Sequence, residues 1–319
     1  MDGETISAPA IVFDNASLTL GIDGYHDNGD HSGVLDLQPT SGSDISLTFY
    51  GDYTAANFLF IHETGSQTNS WIYDQGPVIS AADQQVTGDE SSTTLSGLQI
   101  FDEFANSDNF TITATAGHGT LSLANPADDP DLVPGSSISA TTTLADINTV
   151  LSHGIVYTPD NPEPATDMVT VKIADAGGGA TDGAIDELHF IFNVSGQNGA
   201  TLAGTNGKDI IYGTGNDDTL TGGQNSDIFV FNGFTNGSEL VSGHDTITDF
   251  NAVQDFLHLD SGVFGDNLAA LLSSAQDDAH GNTTIHGADA NSSITLDHVT
   301  TAQLQQYQSH IMLTTPSIN

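Results

Sequence analysis

The sequence contains no cysteine and almost no basic side chains. Lys172 and Lys208 are the only lysines, arginine is absent, and 42 acidic residues give a formal net charge of −40. The absence of cysteine excludes disulfides and thiolate metal sites. Because phosphate groups are bound by Lys and Arg, the composition also predicts no nucleic-acid partner and no anionic membrane partner. At such a charge, self-repulsion weakens the compact state unless cations bind.

Long apolar runs are missing as well. No stretch is long enough to span a membrane, and residues 1–14 lack the basic and apolar regions of a secretory signal peptide. We therefore predict no transmembrane segment, and we expect any export signal elsewhere in the chain. Helix signals are sparse, whereas runs of Val, Ile, Thr, Phe and Tyr are divided by Gly, Asn, Asp and Ser. This pattern predicts an all-β fold.

The most regular feature is a run of three nine-residue units from position 204 to position 230. The units read GTNGKDIIY, GTGNDDTLT and GGQNSDIFV. Each has glycine first, aspartate sixth and an apolar residue eighth, which is typical of a parallel β-helix repeat that binds Ca²⁺. Carboxylate oxygens suit this hard cation, and the apolar side chains are expected to face the interior. The aspartates are Asp209, Asp218 and Asp227, and the apolar residues are Ile211, Leu220 and Phe229.

Successive units of such a coil lie on opposite sides, so equivalent turns are two units apart. Gly204 is therefore expected to stack on Gly222, and Asp209 on Asp227, with one well-formed ion between the two turns. Asp218 belongs to the other side, where we expect a half-site that lacks a full partner. Glycine and asparagine at the early positions of each unit are expected to permit turns with positive φ that point carbonyl oxygens inward.

The regions before the repeat read as strands. Residues 1–76 consist of alternating segments separated by turn-rich stretches, which predicts an N-terminal β module. Residues 77–196 alternate with turns about every ten residues, as in a β-sandwich. Within this region the apolar spacing from Leu144 to Leu151 predicts one short helix.

The region after the repeat is expected to close the coil. The segment HDTITDFNAVQDFLHLD mixes apolar positions with Asp245, Asp249 and Asp255. Such a cap is needed because the last turn of a coil otherwise leaves an unpaired edge and an open apolar interior. Beyond the cap we expect a short helix from Leu268 to Ser274, a strand pair in NTTIHG and SSITLDHV, and a helix in TAQLQQYQ.

The repeat and its flank resemble the RTX (repeats-in-toxin) family of bacterial calcium-binding exoproteins. The resemblance is carried by GTNGKDIIYGTGNDDTLTGGQNSDIFVF, by HDTITDFNAVQDFLHLD and by the ending QLQQYQSHIML. It implies a calcium-binding parallel β-roll at residues 197–231 and a β cap with the export signal at residues 232–319. It also implies Ca²⁺ as the cofactor and the type I secretion machinery as a partner. The family motif assigns Gly204, Asn206, Asp209, Gly222, Gln224 and Asp227 to one site, and Gly213, Gly215 and Asp218 to a second, incomplete one.

Residues 80–196 also resemble the cadherin-like or immunoglobulin-like modules of bacterial RTX adhesins, in GHGTLSL, TLADINTVLSHGIVYTP and VTVKIAD. These resemblances imply a secreted, non-enzymatic adhesin or matrix component, extracellular or held at the cell surface, that contacts surface or matrix glycans. The sequence has neither the H-E-x-x-H motif of zinc proteases nor the G-x-S-x-G motif of lipases. A calcium-dependent glycan hydrolase that uses two carboxylates is the alternative, because acidic pairs are abundant.

Overall fold

The chain is mostly β-strand with a few short helices, which agrees with the predicted all-β class. A computed structural model describes residues 11–13, 18–27, 32–39, 45–50, 58–62, 70–74, 77–81, 92–102, 109–129, 131–160, 166–175, 185–193, 199–236 and 239–314. Within these ranges, no helix is both long and apolar enough to cross a membrane.

Two antiparallel sheets are formed by the first strands. These strands are β1 (Ile11–Phe13), β2 (Leu18–Asp27), β3 (Ser32–Pro39), β4 (Ile45–Tyr50), β5 (Phe58–His62) and β6 (Ser70–Asp74). One sheet has the order β1-β6-β5 and the other the order β2-β3-β4. Leu35 and Leu37 of β3 are fully buried, two positions apart, because alternate side chains of a strand point to the same face.

The next strands form two antiparallel layers around one hydrophobic core. They are β7 (Val78–Ala81), β8 (Thr93–Leu95), β9 (Leu98–Phe101), β10 (Asn109–Ala116), β11 (Thr120–Leu123), β12 (Ser137–Thr143), β13 (Ile155–Thr158), β14 (Thr166–Asp175) and β15 (Ile185–Asn193). One layer is the run β12-β10-β14-β15, and the other consists of β11-β13-β8 and the pair β7-β9. Phe110 and Phe190 are among the largest fully buried side chains between them.

A single helix, α1 (Leu144–His153), packs against this core. Its first turn is capped by Thr143, whose side-chain oxygen accepts from the backbone N–H of Asp146 over 3.3 Å. Ile147 and Leu151, one turn apart, are each 1% exposed and face the core. The helix predicted from Leu144 to Leu151 is therefore confirmed.

From β15 onwards the chain winds as a parallel coil that alternates between two sheets. Its strands are β16 (Thr201–Ala203), β17 (Lys208–Tyr212), β18 (Thr219–Thr221), β19 (Ile228–Phe231), β20 (Phe234–Asn236), β21 (Glu239–Val241), β22 (Gly243–Ile247), β23 (Phe256–Asp260), β24 (Gln276–Asp277), β25 (Thr283–His286), β26 (Ser292–Leu296) and β27 (Ile311–Thr314). Short helices α2 (Ser261–Phe264), α3 (Leu268–Ser274) and α4 (Thr301–Gln306) lie in its later connections.

One sheet of the coil has the order β15-β17-β19-β23-β27 and the other the order β16-β18-β22-β26, and all these neighbours are parallel. Leu202 pairs with Leu220, and Ile211 pairs with Phe229, so paired residues in the repeat are two nine-residue units apart. All four side chains are 0% exposed. The predicted two-unit stacking and the inward position of the eighth residue are therefore confirmed.

The later connections also follow the sequence pattern. Helix α3 has the predicted bounds, α4 covers most of the predicted segment, and β25 and β26 form the predicted antiparallel pair. An antiparallel hairpin, β20 with β21, is inserted between the last repeat unit and β22. This hairpin was not expected, and it changes the spacing of everything that follows.

The two-layer region and the coil share one sheet. β15 pairs with β14 in antiparallel fashion on one side and with β17 in parallel fashion on the other. The result is a continuous sheet in the order β12-β10-β14-β15-β17-β19-β23-β27, which we call the long sheet. Its hydrogen bonding continues past the predicted boundary between residues 196 and 197.

Candidate metal site of the coil

The first and third repeat units stack on one side of the coil. The backbone N–H of Gly204 donates to the carbonyl oxygen of Thr221 over 2.8 Å, which places Gly204 directly against Gly222. The backbone N–H of Asp209 donates to a carboxylate oxygen of Asp227 over 3.1 Å. The turns that the spacing predicts to be neighbours are therefore neighbours.

The loop positions Asn206 and Gln224 lie in these two stacked turns. The backbone N–H of Gln224 donates to the carbonyl oxygen of Thr205 over 3.4 Å. The side-chain amide of Asn225 donates to the carbonyl oxygen of Asn206. Asn206 and Gln224 are themselves exposed. The two turns are therefore joined by main-chain atoms and by the side chain of Asn225.

Three aspartates form a column on this side, which we call column A: Asp209, Asp227 and Asp255. The backbone N–H of Asp209 donates to the carboxylate of Asp227, and the backbone N–H of Asp227 donates to the carboxylate of Asp255, over 3.1 Å in both cases. Each of the three residues is at most 3% exposed. The repeat predicted the first two members, and Asp255 extends the column into the closing segment.

Column A is electrostatically strained when ionised. Burial, together with the negative charges of Asp255 and Asp209, raises the pKa of Asp227 to about 8. Burial raises the pKa of Asp255 to about 7, and the charge of Asp249 adds to that shift. A buried carboxylate beside other carboxylates is stable only if it takes up a proton or a cation.

A histidine stands at the first end of column A. His189 of β15 pairs in register with Asp209, and its Nδ1 lies 3.1 Å from the Oδ1 of Asp209. Its Nε2 lies 2.9 Å from the Oε1 of Glu187. The contact with Asp209 raises the pKa of His189 above its usual value. Within the described part of the chain, Asp227 and Asp255 have no ion pair of this kind.

Asp218 lies on the opposite side of the coil, and it has a stacked carboxylate. Its Oδ2 accepts from the backbone N–H and the hydroxyl of Thr214, over 3.0 Å and 2.7 Å. Its own backbone N–H donates to the Oδ1 of Asp245 over 2.9 Å. The expectation that this side lacks a stacked partner is therefore wrong. The inserted hairpin lengthens the chain between Asp218 and the next stacked aspartate, which is Asp245. The pairing of β18 with β22 nevertheless places Asp245 beside Asp218. We call Asp218 and Asp245 column B.

One oxygen of column B is buried without a partner. Among the described residues, the Oδ2 of Asp245 has no hydrogen-bond partner, and the residue is 1% exposed. Its neighbour in the next strand is the apolar Ile294, which offers no counter-charge. Burial raises the pKa of Asp245 to about 9, and the charges of Asp218 and Asp217 add to the shift. A buried, unpaired carboxylate oxygen is the group that a bound cation would satisfy.

The glycines assigned to the site allow neighbouring backbones and core side chains to approach closely. A Cβ on Gly204 would lie 2.0 Å from the carbonyl oxygen of Gly222, and a Cβ on Gly213 would lie 2.9 Å from the ring of Phe231. A Cβ on Gly215 would also meet a phenylalanine side chain, at 2.8 Å. Stacked parallel turns bring backbones and core rings this close, so a side chain at these positions would push the turns apart.

Positive φ angles are rarer in the repeat than expected. Of its early glycine and asparagine positions, only Gly223 and Asn225 have φ in the left-handed region, at 108° and 70°. The expectation that these positions are generally used for positive φ is therefore wrong. Contact between neighbouring turns, and not the φ angle of each turn, accounts for the other glycines.

The donor set of the two columns fits a hard divalent cation. Carboxylate and carbonyl oxygens are the ligands of Ca²⁺, whereas thiolate is absent from the chain. Across the described ranges, no three His, Asp or Glu side chains converge as a ready-made metal cluster. On one side of the coil, an ion would therefore be held by Asp209 and Asp227 together with main-chain oxygens of their turns. On the other side, Asp218 and Asp245 would do the same. The ion would supply positive charge to column B and to the part of column A beyond the ion pair of His189 with Asp209.

Three residues in or beside the columns were not assigned to the site from the sequence, although two of them carry a recognisable pattern. Asp245 is followed two positions later by the buried Ile247, and Asp255 by the buried Leu257, as in each repeat unit. The inserted hairpin and longer turns remove the nine-residue spacing and hide this similarity. His189 has no local pattern, because its place depends on the pairing of β15 with β17.

Comparisons of the chain with protein-family models, curated proteins and solved structures found no match. Its function is therefore inferred from its own residues and their geometry.

Proposed function

We propose that the chain is a secreted calcium-binding protein of the RTX type. In this proposal, residues 197–231 are a calcium-binding β-roll and residues 77–196 are a cadherin-like or immunoglobulin-like β-sandwich. The observation that carries the proposal is the pair of buried aspartate columns. Their carboxylates are adjacent, nearly free of solvent contact and short of positive charge, and the Oδ2 of Asp245, which has no hydrogen-bond partner among the described residues, is available as a ligand of a cation.

Calcium would act as a folding switch. Without a cation, ionised carboxylates in each column repel one another and favour the unfolded coil. When a cation binds only the folded coil, its binding free energy becomes folding free energy. Extracellular calcium modules work at dissociation constants of roughly 10⁻⁴ to 10⁻³ M. A coil of this kind would stay unfolded where calcium is scarce and fold after export by the type I secretion machinery.

We further propose that the two-layer region and the N-terminal β module are the non-enzymatic, glycan-contacting part of an adhesin or matrix protein. The exposed face of β10 and β12 carries paired hydroxyls: Thr111 with Thr141 at 2.8 Å, Thr113 with Ser139 at 3.0 Å, and Thr115 with Ser137 at 3.2 Å. This uncharged, hydroxyl-rich surface in an otherwise acidic chain suits neutral sugar hydroxyls.

Circular dichroism and calorimetry on the full chain test the calcium switch. Millimolar Ca²⁺ is expected to increase the β signal and to release measurable heat, whereas Mg²⁺ at the same concentration is expected to do less, since its octahedral geometry is less adaptable. The double variant Asp209→Ala and Asp227→Ala is expected to lose most of the response. Asp266→Ala, an exposed aspartate beside α3, is the matched control and is expected to respond like the wild type. An unchanged spectrum without binding heat would contradict the switch.

Two further experiments address secretion and adhesion. Deletion from about residue 250 onwards is expected to retain the protein inside a host with a type I system, since the resemblance places the export signal there.

A glycan array is expected to show binding by the full chain, and a polysaccharide activity screen is expected to show no turnover. Turnover of a polysaccharide would contradict the non-enzymatic proposal.

A further inference from the structure

A cavity of about 410 Å³ lies between the edge strand β12, helix α1 and the loop that follows β11. Its floor includes Ile112, Ile138, Ile147 and Leu151, none of which is more than 9% exposed. Cores are normally packed with few voids larger than a water molecule. A space of this size falls instead in the range of small-molecule sites, which are mostly apolar with a few polar groups.

The mouth of the cavity is acidic. Asp128 and Asp129 from the loop and Asp146 from the first turn of α1 contribute to its lining. Hydrogen bonds from the hydroxyls of Thr143 and Thr142 lower the pKa of Asp146, so this carboxylate stays charged at neutral pH. Both lysines of the chain are absent from the lining, so no fixed positive charge of the chain stands at the mouth.

Asp128 is one of the three acids at the mouth, and its side chain is 11% exposed. Its Oδ1 accepts from the side-chain amide of Asn125 over 2.8 Å. Its Oδ2 is out of solvent and makes no hydrogen bond of good geometry within the described residues, although the Nδ1 of His153 lies 2.8 Å from it. Asp128 therefore places an enclosed carboxylate in the lining of the cavity, and its ion pair within the described residues is with His153.

We propose that this cavity binds a small cationic amphiphile, with its apolar part on the isoleucine and leucine floor and its cationic end at Asp128 and Asp129. The charge distribution disfavours an anionic ligand. An anionic amphiphile would be repelled by the three carboxylates at the mouth.

The proposal does not depend on calcium binding by the coil, because the cavity lies wholly within the two-layer region. The experiment uses the full chain in millimolar calcium and three probes with the same eight-carbon tail: octylammonium, octanol and octanoate. Calorimetric titration is expected to give about tenfold tighter binding for octylammonium than for octanol, as expected for roughly one charged contact. Octanoate is expected not to bind.

Variants separate the acidic mouth from the apolar floor. Asp128→Asn with Asp129→Asn is expected to lower the affinity for octylammonium about tenfold and to leave that for octanol unchanged. Asp160→Asn removes one such charge, half as many as the paired substitution, at an exposed position of the same region that does not line the cavity, and it is expected to change neither affinity. Ala114→Leu fills the floor and is expected to abolish binding of both probes.

The circular dichroism spectrum shows whether Ala114→Leu is folded. If it is not, Val150→Trp, at a partly buried position of the lining, replaces it as the blocking variant. Absence of binding by both octylammonium and octanol would overturn the proposal. Equal binding of octanoate and octylammonium, or an equal effect of Asp160→Asn and the paired substitution, would overturn the assignment of a cationic ligand.

Discussion

Asp227→Asn tests whether the charge of column A opposes folding of the ion-free coil. Asparagine has nearly the same shape as aspartate but carries no charge. The pKa of Asp227 is about 8, compared with an ordinary value of 3.8. At about 1.4 kcal/mol per pKa unit, ionisation of Asp227 costs the folded state up to about 6 kcal/mol. That is comparable with the whole stability of many domains, about 5–15 kcal/mol.

The sign of the pH dependence follows from the raised pKa. The folded state holds the proton of Asp227 more tightly than the unfolded chain does. Its stabilising contribution is therefore complete below the unfolded pKa of 3.8 and is lost as pH rises to the folded value of about 8. The ion-free wild type should thus be more stable at about pH 5 than at about pH 8.

The assay is urea unfolding of the full chain, followed by far-ultraviolet circular dichroism, with chelator or with millimolar calcium. Without calcium, Asp227→Asn is expected to raise the midpoint at about pH 8 and to raise it by less at about pH 5, where the folded state still holds the proton of Asp227. In calcium the order is expected to reverse, because the variant lacks a carboxylate ligand. Asp266→Asn, at an exposed position, is the control and should match the wild type throughout.

Two results would refute this reasoning about column A. One is an ion-free wild type that gains stability between about pH 5 and about pH 8. The other is an Asp227→Asn variant that is destabilised without calcium, at the higher pH, as much as it is with calcium. Either would mean that Asp227 is well accommodated as an anion by its own chain.

Four further predictions concern column B, the coil core and two buried phenols. Asp245→Asn is expected to remove one Ca²⁺ from the calorimetric stoichiometry and to stabilise the ion-free coil at about pH 8, because it neutralises a carboxyl whose pKa is raised to about 9. Phe229→Ala, at a fully buried position, is expected to cost about 3–5 kcal/mol in urea unfolding. Tyr212→Phe is expected to be neutral or stabilising, because its buried hydroxyl has no partner among the described residues. Tyr157→Phe is expected to cost about 1–3 kcal/mol, because it loses the 2.6 Å hydrogen bond to Asp167.

The repeat made the coil the most predictable part of the fold. A nine-residue period with an apolar eighth position specifies which side chains face inward, and Leu220 and Phe229 are fully buried as expected. Helix α1 was equally open to prediction, because Thr143 can cap it and Ile147 and Leu151 lie one turn apart. Both features are local, and local patterns are what a single sequence displays most clearly.

The features that sequence reasoning missed are non-local. The place of Asp245 beneath Asp218 depends on a hairpin insertion that keeps the register of the sheet while changing the spacing in the chain. His189 caps column A only because β15 pairs with β17. The stacking of Gly204 on Gly222 was predicted, but the reason for glycine there is the close approach of two backbones, which no pattern within one unit specifies.

The long sheet couples the proposed calcium switch to the two-layer region. The ring of Phe192 on β15 stacks on Tyr157 of that region at 5.7 Å and on Tyr212 of the coil at 5.3 Å, so one aromatic stack spans both. Lys208 of the first repeat unit pairs with Asp186 of β15. An unfolded coil would leave β15 as an unpaired edge and expose its apolar contacts to water. A cation that folds the coil would therefore also stabilise the proposed adhesive part.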